Sequence, residues 1–475
     1  MKKAATLTLI LALLFSAVAG ALVAKKARAG TITVPDDYAT IQDAVNAADE
    51  GDTVFVRKGT YEGPINQTLM INKTLSLIGE DSNHTSLNLH PAWVTTIIFP
   101  DTRLSGYDNP IKIEANNVRV AGFTIASDGG DISVTGNGTQ MVGNILNTGL
   151  TLRGSNQTLA KNTITARISV LSSYCNIYAN NMANTIIDVT SGSYNSLYVN
   201  SVVGGGLGAG GTSSTNLIYG NTVKNGGGIW ACDGDIVANN TVTDCDKGVS
   251  ITWGFNNIIC GNFIINNHGP GLTKDEGLNN TFYANHVANN SVGVLLGTRG
   301  IQHSGNTTLF HNNFIDNIQQ TQIVNLDHSD YWDNGEEGNY WSDYSGSDSD
   351  HDGIGDAPYV MTGDSYHENY PYVTYGDSYE DRYPLMAPFN ITSVTTSLPD
   401  WAPNVSSVNP ELPEWAHPLS SPTSSPSQEP TSQPEPQQAK PFPLSLVVAI
   451  AIVAADIVVI AAVGIGLSKY LKKHK

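Results

Sequence analysis

Nine residues near the end of the chain, Asp348-Ser349-Asp350-His351-Asp352-Gly353-Ile354-Gly355-Asp356, place acids at alternating positions before a glycine turn. Carboxylates at this spacing begin a loop of the EF-hand kind, whose hard oxygen donors suit calcium and whose seventh position offers a backbone carbonyl. The expected metal ligands are Asp348, Asp350, Asp352, Ile354 and Asp356, and the expected cofactor is calcium. Tyr359 stands where an EF-hand has its bidentate glutamate, so Asp343 or Asp364 must complete the set. A metal-free acidic turn is the alternative.

Acid–base chemistry has one set of candidates, Asp244, Asp246 and His268, with Lys274, Asp275 and Glu276 farther on. Paired carboxylates at such a place serve glycoside hydrolysis. Asp246 and His268 each lie six residues after an asparagine, Asn240 and Asn262, that marks a repeat, which predicts that they stack. Asn225, Asn266, Asn289 and Asn317 share the position of Asp244, however, and a polar turn ladder accounts for it without catalysis. Around the acidic loop lie Tyr331, Trp332, Tyr340, Trp341, Tyr344, Tyr359, Tyr370, Tyr372 and Tyr383, either a stacking platform for sugars or, as a small cap requires, its own core.

The elements that hold these residues follow from the repeat, whose markers are Asn144, Asn162, Asn181, Asn200, Asn221, Asn240, Asn262, Asn285 and Asn313. An apolar or aromatic residue stands three places before each, from Met141 to Phe310, and most positions two places after are again apolar. Units this short cannot bury a core alone; coiled one above another they pair their strands in parallel and stack like residues along an axis. Asparagine suits the bend because it tolerates left-handed backbone and its amide bonds the next asparagine in a ladder. The expected fold is all-β, a right-handed parallel β-helix over residues 30–330. Its N-terminal cover is a helix begun by Thr40 and Asp43, with Ile41, Ala44, Val45 and Ala48 on one face and Gly51 at its end. Residues 331–390 form an aromatic and acidic C-terminal cap.

Two family resemblances sharpen this. Tyr38-Ala39-Thr40-Ile41-Gln42-Asp43-Ala44-Val45, Gly51-Asp52-Thr53-Val54 and Gly59-Thr60-Tyr61 resemble the opening of pectin-lyase-like β-helix proteins. Gly338-Asn339-Tyr340-Trp341-Ser342-Asp343-Tyr344, the Asp352–Asp356 turn and Asp381-Arg382-Tyr383-Pro384-Leu385 resemble the closing segment of NosD-like repeat proteins. The resemblance implies the parallel β-helix. It also implies lyase, hydrolase, epimerase or pure binding functions, among which the fold does not choose. The chain has no Asp-Asp pair in its coils and no Arg-x-Lys run of the kind polysaccharide hydrolases of this fold carry. NosD-like proteins imply copper delivery, which favours clustered soft ligands, and six Met with scattered Cys and His make that a poor inheritance.

The two ends and the composition place the rod. Lys2 and Lys3, an apolar run from Ala4 to Ala24 and the Ala27-x-Ala29 pattern read as a signal peptide over residues 1–29, with an uncleaved anchor as the alternative. Residues 391–441 are rich in Ser, Pro, Thr, Glu and Gln and read as a disordered or extended stalk; Leu398-Pro399-Asp400-Trp401-Ala402 and Leu412-Pro413-Glu414-Trp415-Ala416 within it either dock a partner or lie on the rod. Residues 442–468 are long enough to span a bilayer. The central Asp456 costs about 3 kcal/mol, which many Leu, Ile and Val offset at about 0.3–0.6 each. Lys469, Lys472, Lys473 and Lys475 then form a cytoplasmic tail over residues 469–475.

Asn-x-Ser/Thr sequons at Asn66, Asn72, Asn83, Asn137, Asn156, Asn239, Asn279, Asn289, Asn306, Asn390 and Asn404 fit an exported glycoprotein. Four cysteines, Cys175, Cys232, Cys245 and Cys260, lack C-x-x-C spacing, which disfavours a zinc or redox motif and leaves either disulfides without a deducible pairing or buried free thiols. The net charge of −19 disfavours nucleic acid. The expectation is a cell-surface, single-pass protein whose rod binds a polysaccharide or another envelope component, with a polysaccharide lyase, hydrolase or epimerase as one alternative and a structural or adhesion spacer as the other.

Overall fold

Strands of three or four residues with alternate apolar side chains need a shared interior, and coiling supplies it. The computed structural model describes residues 29–62, 68–80, 95–99, 109–127, 130–297, 304–324, 330–363, 378–409 and 411–416. The chain winds as a right-handed parallel β-helix with three faces. Sheet 1 runs from Thr31–Val34 to Thr308–Phe310, sheet 2 from Thr60–Glu62 to Tyr340–Trp341, and sheet 3 from Leu69–Ile71 to Gln319–Val324. Among the described residues sheet 1 has thirteen strands, so its twelve steps of about 4.8 Å give roughly 58 Å of stacked backbone. Inward residues such as Leu77, Val120, Met141, Leu159 and Ile177 form one continuous core.

The helix, Ile41–Ala47, covers the first coil with Ile41, Ala44 and Val45, and Thr40 accepts the Asp43 N–H at 3.1 Å as its N-cap. Gln42 lends its amide to the backbone of Met70 in both directions, at 2.8 and 3.3 Å, and so occupies an edge that would otherwise be open. The helix ends before Gly51, with Ala48 as its C-cap, and Lys73 Nζ donates to the carbonyls of Asn46 and Ala48.

The bends are more specific than the repeat predicts. Between sheets 1 and 2 the left-handed residue is the one before each ladder asparagine except the last: Gly143, Lys161, Ala179, Val199, Gly220, Asn239, Gly261, Ala284 and His311, with φ between 53° and 66°. For β-branched Val199 this conformation is costly. The next residue is a buried asparagine whose N–H and Nδ2 both donate to the Oδ1 of the one in the following coil, as Asn240 does to Asn262 at 2.9 and 3.0 Å. The same Nδ2 also reaches a strand carbonyl behind, Ile218 O at 2.9 Å. The ladder runs Asn144, Asn162, Asn180, Asn200, Asn221, Asn240, Asn262, Asn285, Asn312, Asn339. Asn180 and Asn312 therefore replace the expected Asn181 and Asn313, which begin strands of sheet 2.

A second ladder on the corner before sheet 1 links Asn195, Asn216, Asp235, Asn257 and Asn280. Asp235 is fully buried and accepts from Asn216 N and Nδ2 and from Cys232 N. Burial pushes its carboxyl up from 3.8 to about 6 against those hydrogen bonds. A raised folded-state value means that the native chain holds the proton more tightly than the unfolded one. Stability due to this group is therefore greatest below about pH 4, falls by on the order of 3 kcal/mol between about pH 4 and pH 6, and is level above. Urea midpoints should show this fall in wild type and a smaller one in Asp235→Asn. Parallel pH curves for the two would remove the assignment.

At the far end the cap aromatics are core. Trp332 and Trp341 are buried, and the Trp341 ring stacks between Phe314 at 4.5 Å and Tyr359 at 4.4 Å, which closes the rod's interior. Tyr370 and Tyr372 lie outside the described residues.

Beyond Phe389 the chain turns back along sheet 1, and of the two alternatives for its tryptophan motifs it takes the one in which they lie on the rod. Phe389 exchanges two hydrogen bonds with the Asn313 side chain, at 2.7 and 2.8 Å, and Thr396 Oγ1 meets Cys260 Sγ at 3.7 Å. Trp401 sits edge-on to Tyr194, Lys161 Nζ bonds the Glu411 carbonyl, and Arg119 lies 5.3 Å above the Trp415 ring. Ala416 finally packs with Phe55, Ile78 and Ala121 in the first coils. The two tryptophan motifs form the same turn, Ala402 N to Pro399 O at 2.9 Å and Ala416 N to Pro413 O at 2.8 Å. Their contacts are Arg119 and Tyr194, the latter just before the strand Ser196–Tyr198, and the two strands lie four steps apart, about 19 Å.

What this strap covers is an outward apolar column of sheet 1, in register from Phe55, Ile78, Ala121, Val142 and Ala160 through Tyr178, Tyr198 and Tyr219 to Tyr283 and Phe310. The expected signal peptide and membrane span lie outside the described residues, among which no helix is long and apolar enough to cross a membrane.

Candidate functional site

The polar corner between sheets 2 and 3 carries the acid–base candidates. Asp244 takes the left-handed conformation, with φ 55°, alongside Asn225, Asn266 and Asn289 and, in the last coil, Asp316. Asn317, expected at this position, is instead a buried ladder residue that accepts the Asn290 N–H at 2.9 Å. The Asp244 carboxylate accepts the Thr243 hydroxyl at 3.0 Å and faces Lys224 Nζ at 3.8 Å. Asp246 N donates to Gly226 O and His268 N to Cys245 O, each at 2.8 Å, which sets Asp246 and His268 level on neighbouring coils as the spacing predicted. Both side chains are exposed, and among the described residues no hydrogen bond or ion pair joins them. Lys274 has left this surface altogether: it takes an inward position between Ile251 and Leu296 and pairs with buried Asp330 at 3.2 Å. Burial pulls its ammonium below the usual lysine range, against the attraction of Asp330.

In the acidic loop the side chains of Asp348, Asp350 and Asp352 bring carboxylate oxygens within 4.8 Å of one another. Asp348 is held by the N–H groups of Asp352 and Gly353, at 3.2 and 3.1 Å, and Asp352 by the Ile354 N–H at 2.8 Å. Asp356 accepts from Ser349 Oγ and Ser347 Oγ at 2.6 and 2.8 Å, which hold its carboxyl below the usual range. Three carboxylates so placed could hold a metal ion through hard oxygen donors.

The loop is tied to the other two C-terminal motifs. Asp381 ends the first asparagine ladder by accepting from Asn339 N at 2.7 Å and Trp341 Nε1 at 2.9 Å, while its other oxygen accepts the Tyr383 N–H at 3.1 Å. A Cβ on Gly338 would stand 1.8 Å from that carboxylate, so only glycine fits. Leu385 bridges Tyr340 on one side and Ile354 on the other. Three separate motifs thus close one cap.

The model of the family described as periplasmic copper-binding protein (NosD) matches residues 224–346, and that of DUF1565, a family of unknown function, matches residues 24–232. Over the first of these stretches the chain is NosD-like, and its fold is a right-handed parallel β-helix. No curated protein matches it. Solved structures with a similar fold include the A-module of the Azotobacter vinelandii mannuronan C-5 epimerase AlgE6, at 15% identity over 62% of this chain and 92% of that one, with a TM-score of 0.42. A PL6 alginate lyase in complex with trisaccharide has 12% identity over 76% and 93%, with a TM-score of 0.43. The PL6 polysaccharide lyase Pedsa3628 of Pseudopedobacter saltans has 10% identity over 68% and 88%, with a TM-score of 0.38. These likenesses assign no activity.

The NosD-type match takes in the Asp244–His268 corner and the tryptophans of the cap, and stops before the acidic loop. Copper fits this NosD-like chain poorly, since Cys175, Cys232, Cys245 and Cys260 are each free and buried and burial pushes their thiols up. The sequence reading also missed the outer face of sheet 3, whose central column runs in register from Lys112 and Ser133 through Asp188, Gly208 and Trp230 to Ser250 and Thr273. The signal was present in the third strand of each unit, where outward positions are small and polar.

Proposed function

We propose that this NosD-like protein is a membrane-anchored, extracellular rod that binds a surface glycan or another repeating envelope component. The observation that carries this reading is the in-register column of sheet 3, where Ser169, Asp188, Trp230 and Ser250 stay partly exposed on either side of Gly208, while sheet 1 is occupied by the strap. A polymer laid along such a face touches several weak sites at once and gains affinity through effective concentration. The nine described sequon asparagines, Asn72, Asn137, Asn156, Asn239, Asn279, Asn289, Asn306, Asn390 and Asn404, are all exposed, which suits an exported chain. Long polysaccharides should bind more tightly than short ones on a glycan array. An array without any bound acidic or neutral polymer would end the reading. Protease added to intact cells should release the rod, and protection of the rod would reverse the topology.

A second reading, catalysis, is favoured only by the level placement of Asp246 and His268. Incubation with a polysaccharide panel, followed by reducing-end and unsaturated-product assays, decides it. Turnover in wild type that falls about a hundredfold or more in Asp246→Asn or His268→Ala would establish an acid–base pair.

Calcium belongs to the proposal through Asp348, Asp350 and Asp352, with the Ile354 carbonyl and Asp356 as the remaining expected ligands. Binding is expected at about 0.1–1 mM, the range of extracellular modules, with protection of the cap from protease. The double variant Asp350→Ala, Asp352→Ala should lose that protection. Calorimetry without heat of calcium binding would take the metal out.

A further inference from the structure

We infer that Trp230, with Asp188 and Arg167 on one side of it and Trp253 farther along on the other, forms a subsite for neutral hexose rings of a polysaccharide, an inference that rests on the polymer-binding reading above. Trp230 points outward from its strand, Gly228–Ala231, and its indole lies over the neighbouring strand, Gly206–Ser214. The glycines there make room for it: a Cβ on Gly208 would stand 2.6 Å from the indole Cγ, and one on Gly206 2.8 Å from Cζ3. The ring is thereby laid against the sheet and remains partly exposed.

On one side of the indole, one coil beyond Gly208 in the same column, is Asp188, whose carboxylate accepts from Arg167 at 2.7 Å. On the other side, in register with Trp230, is the Ser250 hydroxyl. Three residues past Ser250, roughly 10 Å along the strand direction, Trp253 is 67% exposed. Packing on glycine accounts for Trp230 by itself but leaves so exposed a tryptophan unexplained.

An aromatic face flanked by hydroxyl, carboxylate and guanidinium groups matches a pyranose, whose C–H face stacks while its hydroxyls exchange hydrogen bonds. Charge selects the neutral class. Arg167 is already neutralised by Asp188, and a polyuronate would meet that carboxylate on a chain of net charge −19.

The test is equilibrium binding of the full-length protein to neutral glucose, mannose and galactose hexasaccharides and to a mannuronate hexasaccharide, read by titration and by tryptophan emission. Trp253→Ala, exposed and so expected to fold, should weaken the best neutral ligand at least tenfold, and Trp230→Phe should weaken it less. Phe263→Ala on sheet 2 should leave affinity unchanged. Equal affinity of Trp253→Ala and wild type would overturn the subsite while glycan binding itself stood. Binding of the mannuronate alone would overturn the neutral class, and binding of no sugar here or on the array would remove subsite and parent reading together.

Discussion

Replacing Asp381 by alanine is expected to destabilise the C-terminal cap by about 3–5 kcal/mol, one of the largest effects of any single substitution in this chain. The carboxylate is fully buried and takes the Asn339 N–H, the Trp341 indole N–H and the Tyr383 N–H. Alanine leaves all three donors without an acceptor, and each costs about 1–3 kcal/mol when buried unpaired. Removal of the charge returns part of this, because burial raises the Asp381 carboxyl to about 6 and so works against ionisation at neutral pH. Asp381→Asn keeps one acceptor oxygen and should lose less. Since coils contact only their neighbours, the loss should appear first as local opening of the cap. Limited proteolysis and hydrogen exchange across residues 331–363 would locate it, and urea denaturation would give its size. Wild-type protection in Asp381→Ala would show that the ladder needs no terminal acceptor.

Ending the chain after Pro388 should have the second large effect, through solvation. The strap then no longer covers the outward column of sheet 1, in which Phe55 and Ile78 are buried against Leu412, Trp415 and Ala416. Each side chain of this size is worth about 1.5–3 kcal/mol when fully buried, an upper bound for a surface that the unfolded chain also hides in part. A stripe of this length on a soluble rod would favour association. The truncated protein should keep its β-sheet circular dichroism, bind a hydrophobic dye, self-associate and unfold at lower urea. The milder pair Trp401→Ala and Trp415→Ala should move in the same direction by less. A truncated rod that stays monomeric and dye-free would mean that the column tolerates water and that the strap has no structural role.

Much of this architecture is local and periodic, and for that reason legible in one dimension. Apolar residues on either side of a recurring asparagine encode strand, bend and strand, and every coil repeats the message, so an error in one unit is outvoted by the rest. The capping helix was equally legible, since Thr40, Asp43 and the Ile41, Ala44, Val45 face act within two turns. So were the closing motifs, whose residues meet at Asp381 and Leu385.

The tertiary structure alone decided the rest, because each remaining choice depends on atoms a coil or more away. In Asn180-Asn181 and Asn312-Asn313 either residue has the right chemistry, and only the pleat shows that the first of each pair enters the ladder. Asp246 and His268 were placed level by counting, but their outward orientation without a shared contact follows from how the corner folds. A Pro-rich segment carries no periodic signal, so its seat on sheet 1 is set by a column of partners from Phe55 to Phe310 that no local window contains. Trp230 likewise draws its setting from Gly206 and Gly208, more than twenty residues earlier in the chain and one strand away in space. Sequence distance is short along a coil and long between coils, while a side chain's surroundings are made mostly of neighbouring coils.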